Sequence, residues 1–183
     1  EGAWQALSRP QDEHDRYVLR FDLENEVLTD FDEPADPGRR VTLWCGGCVQ
    51  ESTCGRSERG LLVLLDGNIW RGNHVVDHLA PRSHRWDVLL IDSGSLAMRS
   101  RDLADPRRSR DLLRRCLQAA HRAVWGRGCG LAASSEDGGG CIWHPDRIVV
   151  AGQSLGGVAA ADLVLRHPEL ASRAIVQSGS FWL

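Results

Sequence analysis

The sequence predicts an α/β protein built on one mostly parallel sheet with helices on both faces. Three observations predict it. Four short runs, Leu61-Leu62-Val63-Leu64-Leu65, Val88-Leu89-Leu90-Ile91, Ile148-Val149-Val150-Ala151 and Ala174-Ile175-Val176, are apolar along their whole length. They lack the polar alternation of a half-buried strand, as strands covered by helices on both faces do. Helical patterns separate them, at Asn73 to Leu79, Arg108 to Trp125 and Ser154 to Arg166. The first three runs also stop abruptly, at Asp66-Gly67, Asp92 and Gly152, residues that punctuate strands. Strands and helices alternating at this spacing imply right-handed βαβ units, so the four runs are expected as parallel neighbours. Functional groups are then expected at the carboxyl ends of those strands.

The remaining elements follow in chain order. YVLRF at Tyr17 to Phe21 and RVTLW at Arg40 to Trp44 alternate weakly and read as strands, with Pro34, Pro37 and Gly38 punctuating an acidic loop between them. Gly46 to Gly60 is polar and Gly-rich, an irregular connection, and Gly126 to Trp143 reads as a long surface loop. Residues 1–38 are taken as an N-terminal strand and loop segment, and 39–183 as the N-terminal part of a catalytic domain.

Composition narrows the function classes. A chain of 183 residues suits one core, and at 42% hydrophobic and 26% charged, with no run near membrane-spanning length, it reads as a soluble protein without a membrane partner. A net charge of −3 gives no electrostatic case for nucleic acid. All 22 cationic residues are Arg, so any single functional Arg has to be argued from its position. Cys45, Cys48 and Cys54 fall short of the four N/S ligands of a structural zinc site, and His74 and His78, at i and i+4, lack a third ligand. No metal and no cofactor is expected. Cys129 and Cys141 flank Gly138-Gly139-Gly140 and would pair in an oxidising compartment; the reading preferred is free thiols in a reducing cytoplasm. The start at Glu1 carries no secretion signal.

The chemistry lies in Gly152-Gln153-Ser154-Leu155-Gly156, a G-x-S-x-G set directly after a buried strand and before an Ala/Leu-rich helix. That context is the one a nucleophile elbow needs: the Ser sits on a strained strand-to-helix turn, and the glycines leave room for it. Ser154 is expected to have φ > 0. At a helix N-terminus the backbone amides favour developing negative charge, so the Leu155 amide is an oxyanion donor. A second donor is expected from the loop Leu65-Asp66-Gly67-Asn68. This is the arrangement of an α/β-hydrolase-type sheet.

Three segments, LLVLLDGNIW at Leu61 to Trp70, RIVVAGQSLGG at Arg147 to Gly157 and VQSGSFW at Val176 to Trp182, resemble the enterochelin (enterobactin) esterases, within the esterase D-like group of α/β hydrolases. Q-S-G-S-F-W is the most specific of them, because its polar residues and Trp have no core reason to be there. The likeness spans Arg39 to Leu183, with a departure in the Gly-rich stretch before Cys141. It implies a cytoplasmic serine esterase that hydrolyses a catecholate tri-ester siderophore to release iron. Its partner would be the ferric siderophore, a small molecule. The implied residues are Ser154 as nucleophile, the amides of Asn68 and Leu155 as oxyanion hole, and Arg99 as a substrate-binding cation whose guanidinium would fork onto catecholate oxygens. Arg101 competes for that last role.

A base is missing from this reading. The order on this fold is Ser, acid, His, and after Ser154 the one histidine is His167, about 20 Å away along the helix. His144 and His121 fall at the wrong sheet edge, and the order argues against His74 and His78. The chain ends at Leu183, just past the strand that the acid and histidine loops would follow, so the sequence reads as part of a longer enzyme. Two other readings stay open: a general carboxylesterase or acyltransferase of the same fold, and a ligand-binding relative without the base.

Overall fold

The computed structural model describes residues 5–6, 17–22, 39–45, 59–75, 78, 86–125 and 143–181. Seven strands form one sheet: β1 (Gln5–Ala6), β2 (Tyr17–Asp22), β3 (Arg40–Cys45), β4 (Gly60–Leu65), β5 (Trp86–Ile91), β6 (Ile148–Gln153) and β7 (Arg173–Gln177). Their spatial order is β1-β2-β3-β5-β4-β6-β7. Pairing is antiparallel from β1 through β3 to β5 and parallel across β5, β4, β6 and β7. The four apolar runs are therefore parallel neighbours, as expected.

Strand β4 shows why those runs carry no polar face. Leu61, Val63 and Leu65 enter a core with Leu89, Ile91, Ile148 and Val150, sealed by α2 (Leu96–Ala104), α3 (Pro106–Trp125) and α4 (Leu155–Arg166). On the opposite face Leu64, Val88, Leu90 and Ala151 pack with Trp44, Leu62 and Trp70, the last from α1 (Gly67–Gly72). Helices thus lie on both faces, and β4 has strands on both edges. β7 departs from the rule: at the end of the sheet it is exposed throughout, with Ile175 at 54%.

Three helices differ from the sequence reading. A helix was expected over Asn73 to Leu79, where Val75 and His78 are helical among the described residues; α1, which the sequence reading did not include, precedes it with Asn73 as its C-cap. The turn from β4 is made by Asp66 alone, in the left-handed region at φ 62, so no loop separates strand and helix. Helix α2 is not among the helical patterns read from the sequence, because LAMRSRDLA is too polar to show periodicity. Ser95 caps it, its hydroxyl accepting from the Met98 amide at 3.2 Å. Helix α3 starts at Pro106, two residues early, with the proline in the first turn. Cys48, Cys54, Cys129, Cys141 and most of the 1–38 segment lie outside the described residues. Among the described residues no helix is long and apolar enough to cross a membrane.

A buried ion pair fastens α2 to the entrance of β3. Arg39 Nη2 donates to Asp102 and to the Ser93 carbonyl, with side-chain exposures of 4% for Arg39 and 11% for Asp102. Burial alone raises the Asp102 pKa, but hydrogen bonds and positive charge from Arg101 and Arg39 outweigh it and hold the carboxyl below its usual range. A depressed folded pKa contributes stability above the unfolded value, near 3.9, that is lost as pH falls through the folded one. Arg39→Ala is expected to cost about 1–3 kcal/mol near neutral pH by removing one of the two guanidinium partners of a buried carboxylate, Arg101 remaining as the other. In urea unfolding the gap to wild type should narrow as pH falls below the unfolded value, about 3.9, toward the lowered pKa of Asp102; an unchanged gap would discount the pair.

Candidate active site

Ser154 is the single residue between β6 and α4, and its backbone sits at φ 54, ψ −121. Such a conformation costs a non-glycine residue on the order of 1–3 kcal/mol and persists where neighbours over-determine it. Here they do. A Cβ on Gly152 would lie 2.1 Å from the Gly156 carbonyl oxygen, and one on Gly156 would lie 2.9 Å from Asp66 Oδ2. Strand and helix can meet this closely because both positions are glycine. The Ser154 amide donates to the Gln177 carbonyl at 2.9 Å, and the Ser180 amide donates back to the Ser154 carbonyl at 3.3 Å. The segment after β7 thus clasps the elbow from the neighbouring strand.

The Ser154 hydroxyl does not cap α4. Its one side-chain partner among the described residues is Ser180 Oγ, at 2.9 Å. Leu155 and Asn68 each lie in the first turn of a helix, where backbone N–H groups have no intrahelical acceptor. Asn68 is thus in the first turn of α1 and not in a loop. Its side chain turns to Ser93, accepting from the hydroxyl at 2.9 Å and the amide at 3.3 Å, which ties α1 to the end of β5.

Asp66 was missed by the sequence reading. Its side chain is 1% exposed, and Arg99 donates to both its oxygens, from Nε at 2.9 Å and Nη2 at 2.8 Å, with Nη2 also 3.5 Å from the Gln153 carbonyl. The same carboxylate borders Gly156. Arg99 on α2 therefore fastens the strained turn after β4 to the elbow after β6. The Nε/Nη2 edge of Arg99, the fork expected to clamp catecholate oxygens, meets Asp66 in this structure. Arg101 donates to Asp102 from Nε and Nη2, away from that turn. An acidic residue directly after a buried strand, with Arg as the default cation, was the available signal.

No described histidine meets Ser154. His167 caps the far end of α4 against Glu169, and His144 precedes β6 at the opposite edge of the sheet. Cys116 is no rival nucleophile: burial pushes its thiol up to about 12, so it stays protonated at neutral pH. Among the described residues no cluster of His, Cys, Asp and Glu is arranged to hold a metal.

No family model matches the chain. Over 170 residues it is 32% identical to the iron(III) enterobactin esterase of Dickeya dadantii (strain 3937), covering 85% of this chain and 33% of that protein. The enterobactin esterase of Shigella flexneri, solved in the presence of enterobactin, is 29% identical with a TM-score of 0.58, over 79% of this chain and 34% of the other. The ferric enterobactin esterase of Salmonella typhimurium is 27% identical with a TM-score of 0.56, over 79% and 33%. A ferulic acid esterase at 15% identity and a TM-score of 0.58, over 91% and 60%, shares the fold alone. The chain spans about a third of the length of the curated relative it matches.

Proposed function

The chain belongs to the enterochelin esterase family of α/β hydrolases, and from that membership we propose that it carries the nucleophile half of a serine esterase acting on a ferric catecholate tri-ester siderophore in the cytoplasm. Ser154 carries the reading: a strained serine, wedged between two obligatory glycines, with a hydroxyl that caps nothing. Such strain fits a side chain that must stand clear of the sheet.

In this mechanism Ser154 Oγ attacks an ester carbonyl and passes its proton to a histidine base. The amides of Asn68 and Leu155 receive the negative charge on the carbonyl oxygen, and each such donor contributes about 10²–10³ in rate. Collapse breaks the ester C–O bond, the leaving alcohol takes the proton from the base, and water then hydrolyses the acyl-enzyme. The base and its acid are proposed to lie outside the described residues, none of whose histidines meets Ser154.

The test compares a ferric catecholate tri-ester with a neutral aryl ester, using the full-length protein. Hydrolysis of the aryl ester alone would reject the siderophore substrate in favour of a general carboxylesterase. The same assay settles Arg99. Because Arg99 holds Asp66, Arg99→Gln is expected to lower kcat on both substrates by about 10²-fold, the scale of a small misplacement of catalytic groups. A loss confined to the tri-ester, with a raised KM, would instead put Arg99 on the substrate.

A further inference from the structure

The sequence singles out Gln177-Ser178-Gly179-Ser180 for polar residues with no packing role, and the fold accounts for only part of it. Gln177 and Ser180 clasp the elbow through their backbones. That leaves the Ser180 side chain, which is 7% exposed and lies 2.9 Å from the Oγ of Ser154. Its position is fixed by the hydrogen bond its own amide donates to the Ser154 carbonyl and by a turn in which Ser178 adopts φ 47. Among the described residues each of these two hydroxyls has the other as its side-chain partner.

We propose that Ser180 is a further catalytic residue of the esterase reaction, a fixed hydroxyl that donates to Ser154 Oγ and promotes release of the acyl group; this rests on the reading of Ser154 as nucleophile. A hydroxyl has one donor and two acceptor sites. The proton of Ser154 has to reach the base, so the compatible sense of the bond is Ser180 donating. During acylation Oγ forms its bond to the acyl carbon and loses its proton to the base, and Ser180 keeps its own. During deacylation water gives a proton to the base and bonds to the acyl carbon. The C–Oγ bond then breaks, its electron pair stays on Oγ, and the base returns the proton there. Negative charge grows on Oγ in that step, where a preplaced donor is most effective. Ser180 ends each cycle with the proton it began with.

Stopped-flow hydrolysis of p-nitrophenyl acetate by the full-length protein separates the two half-reactions. A hydrogen bond to a charged group predicts that Ser180→Ala slows steady-state turnover about 10- to 100-fold. The variant should keep a p-nitrophenol burst equal to the enzyme concentration, and KM should fall in step with kcat. Ser180→Thr, which retains the hydroxyl, should recover the rate. Turnover of Ser180→Ala at the wild-type rate, or an equal loss of burst rate and steady-state rate, overturns the proposal. If the Ala variant does not fold, Ser180→Cys, a near-isostere with a weaker donor, carries the same expectation and the same refutation. A wild-type burst from Ser154→Ala would instead remove the underlying assignment of the nucleophile.

Discussion

Ser154→Ala in the full-length protein is expected to lower turnover by about 10⁶-fold while leaving affinity for the ferric siderophore nearly unchanged, as loss of a covalent nucleophile does. Ordinarily a Ser to Ala change ahead of a helix also removes a cap, at about 0.5–2 kcal/mol. Here the hydroxyl caps nothing, so stability should hold and the loss of rate is chemical. Ser154→Gly should go further in one direction, gaining about 1 kcal/mol because glycine adopts φ 54 without strain. A more stable, inactive Gly variant would mark the elbow as a place where fold stability is given up for reactivity. Measurable turnover by Ser154→Ala above the residual 10³–10⁴ or so over water would move the nucleophile elsewhere.

Gly152→Ala is expected to inactivate the protein without touching the reacting atoms. The added methyl would stand 2.1 Å from the Gly156 oxygen, 2.2 Å from its carbonyl carbon and 2.8 Å from the Gly157 nitrogen, all backbone atoms of the first turn of α4. Backbone cannot rotate away as a side chain can, so the turn has to move off β6. That shift displaces the Leu155 amide from its place beside Ser154, and misplacements of this size cost about 10²-fold in rate. Forcing extra volume into a packed site costs typically 1–3 kcal/mol, and a backbone clash belongs at or above the upper end, about 3 kcal/mol. Thermal unfolding and aryl-ester turnover should both fall. Wild-type values in both would mean that strand and helix are not this close.

The parallel sheet was legible in the sequence because burial on both faces leaves a mark that few other arrangements do. Ala174 to Val176 carries the same mark and pairs in parallel with β6. Helix α2 was hidden for the opposite reason. Its inward residues are Met98, Asp102 and Leu103, and one of these three is a carboxylate whose burial is supported by Arg39 from a distant part of the chain as well as by the adjacent Arg101. Sequence periodicity cannot register a charge neutralised across the fold. The elbow was legible for the reason that it is local: strand, Gly-x-Ser-x-Gly and helix are contiguous. Its supports are not. Asp66, Arg99 and Ser180 reach the turn from three other elements, and only the pairing of β4, β6 and β7 brings them together.

The central place of β4 also orders events during folding. Its partner on one edge, β5, follows shortly in the chain, whereas Ile148 and Val149, the register partners of Leu61 and Leu62 on the other edge, belong to the late part of the sequence. Contacts of such long sequence separation form slowly, because loop closure must precede them. Until β6 arrives, an apolar strand presents an unpaired edge, the species most prone to wrong partners. The strained serine is then among the last features to form, since its turn exists only once β6 has docked and α4 is laid back over the sheet.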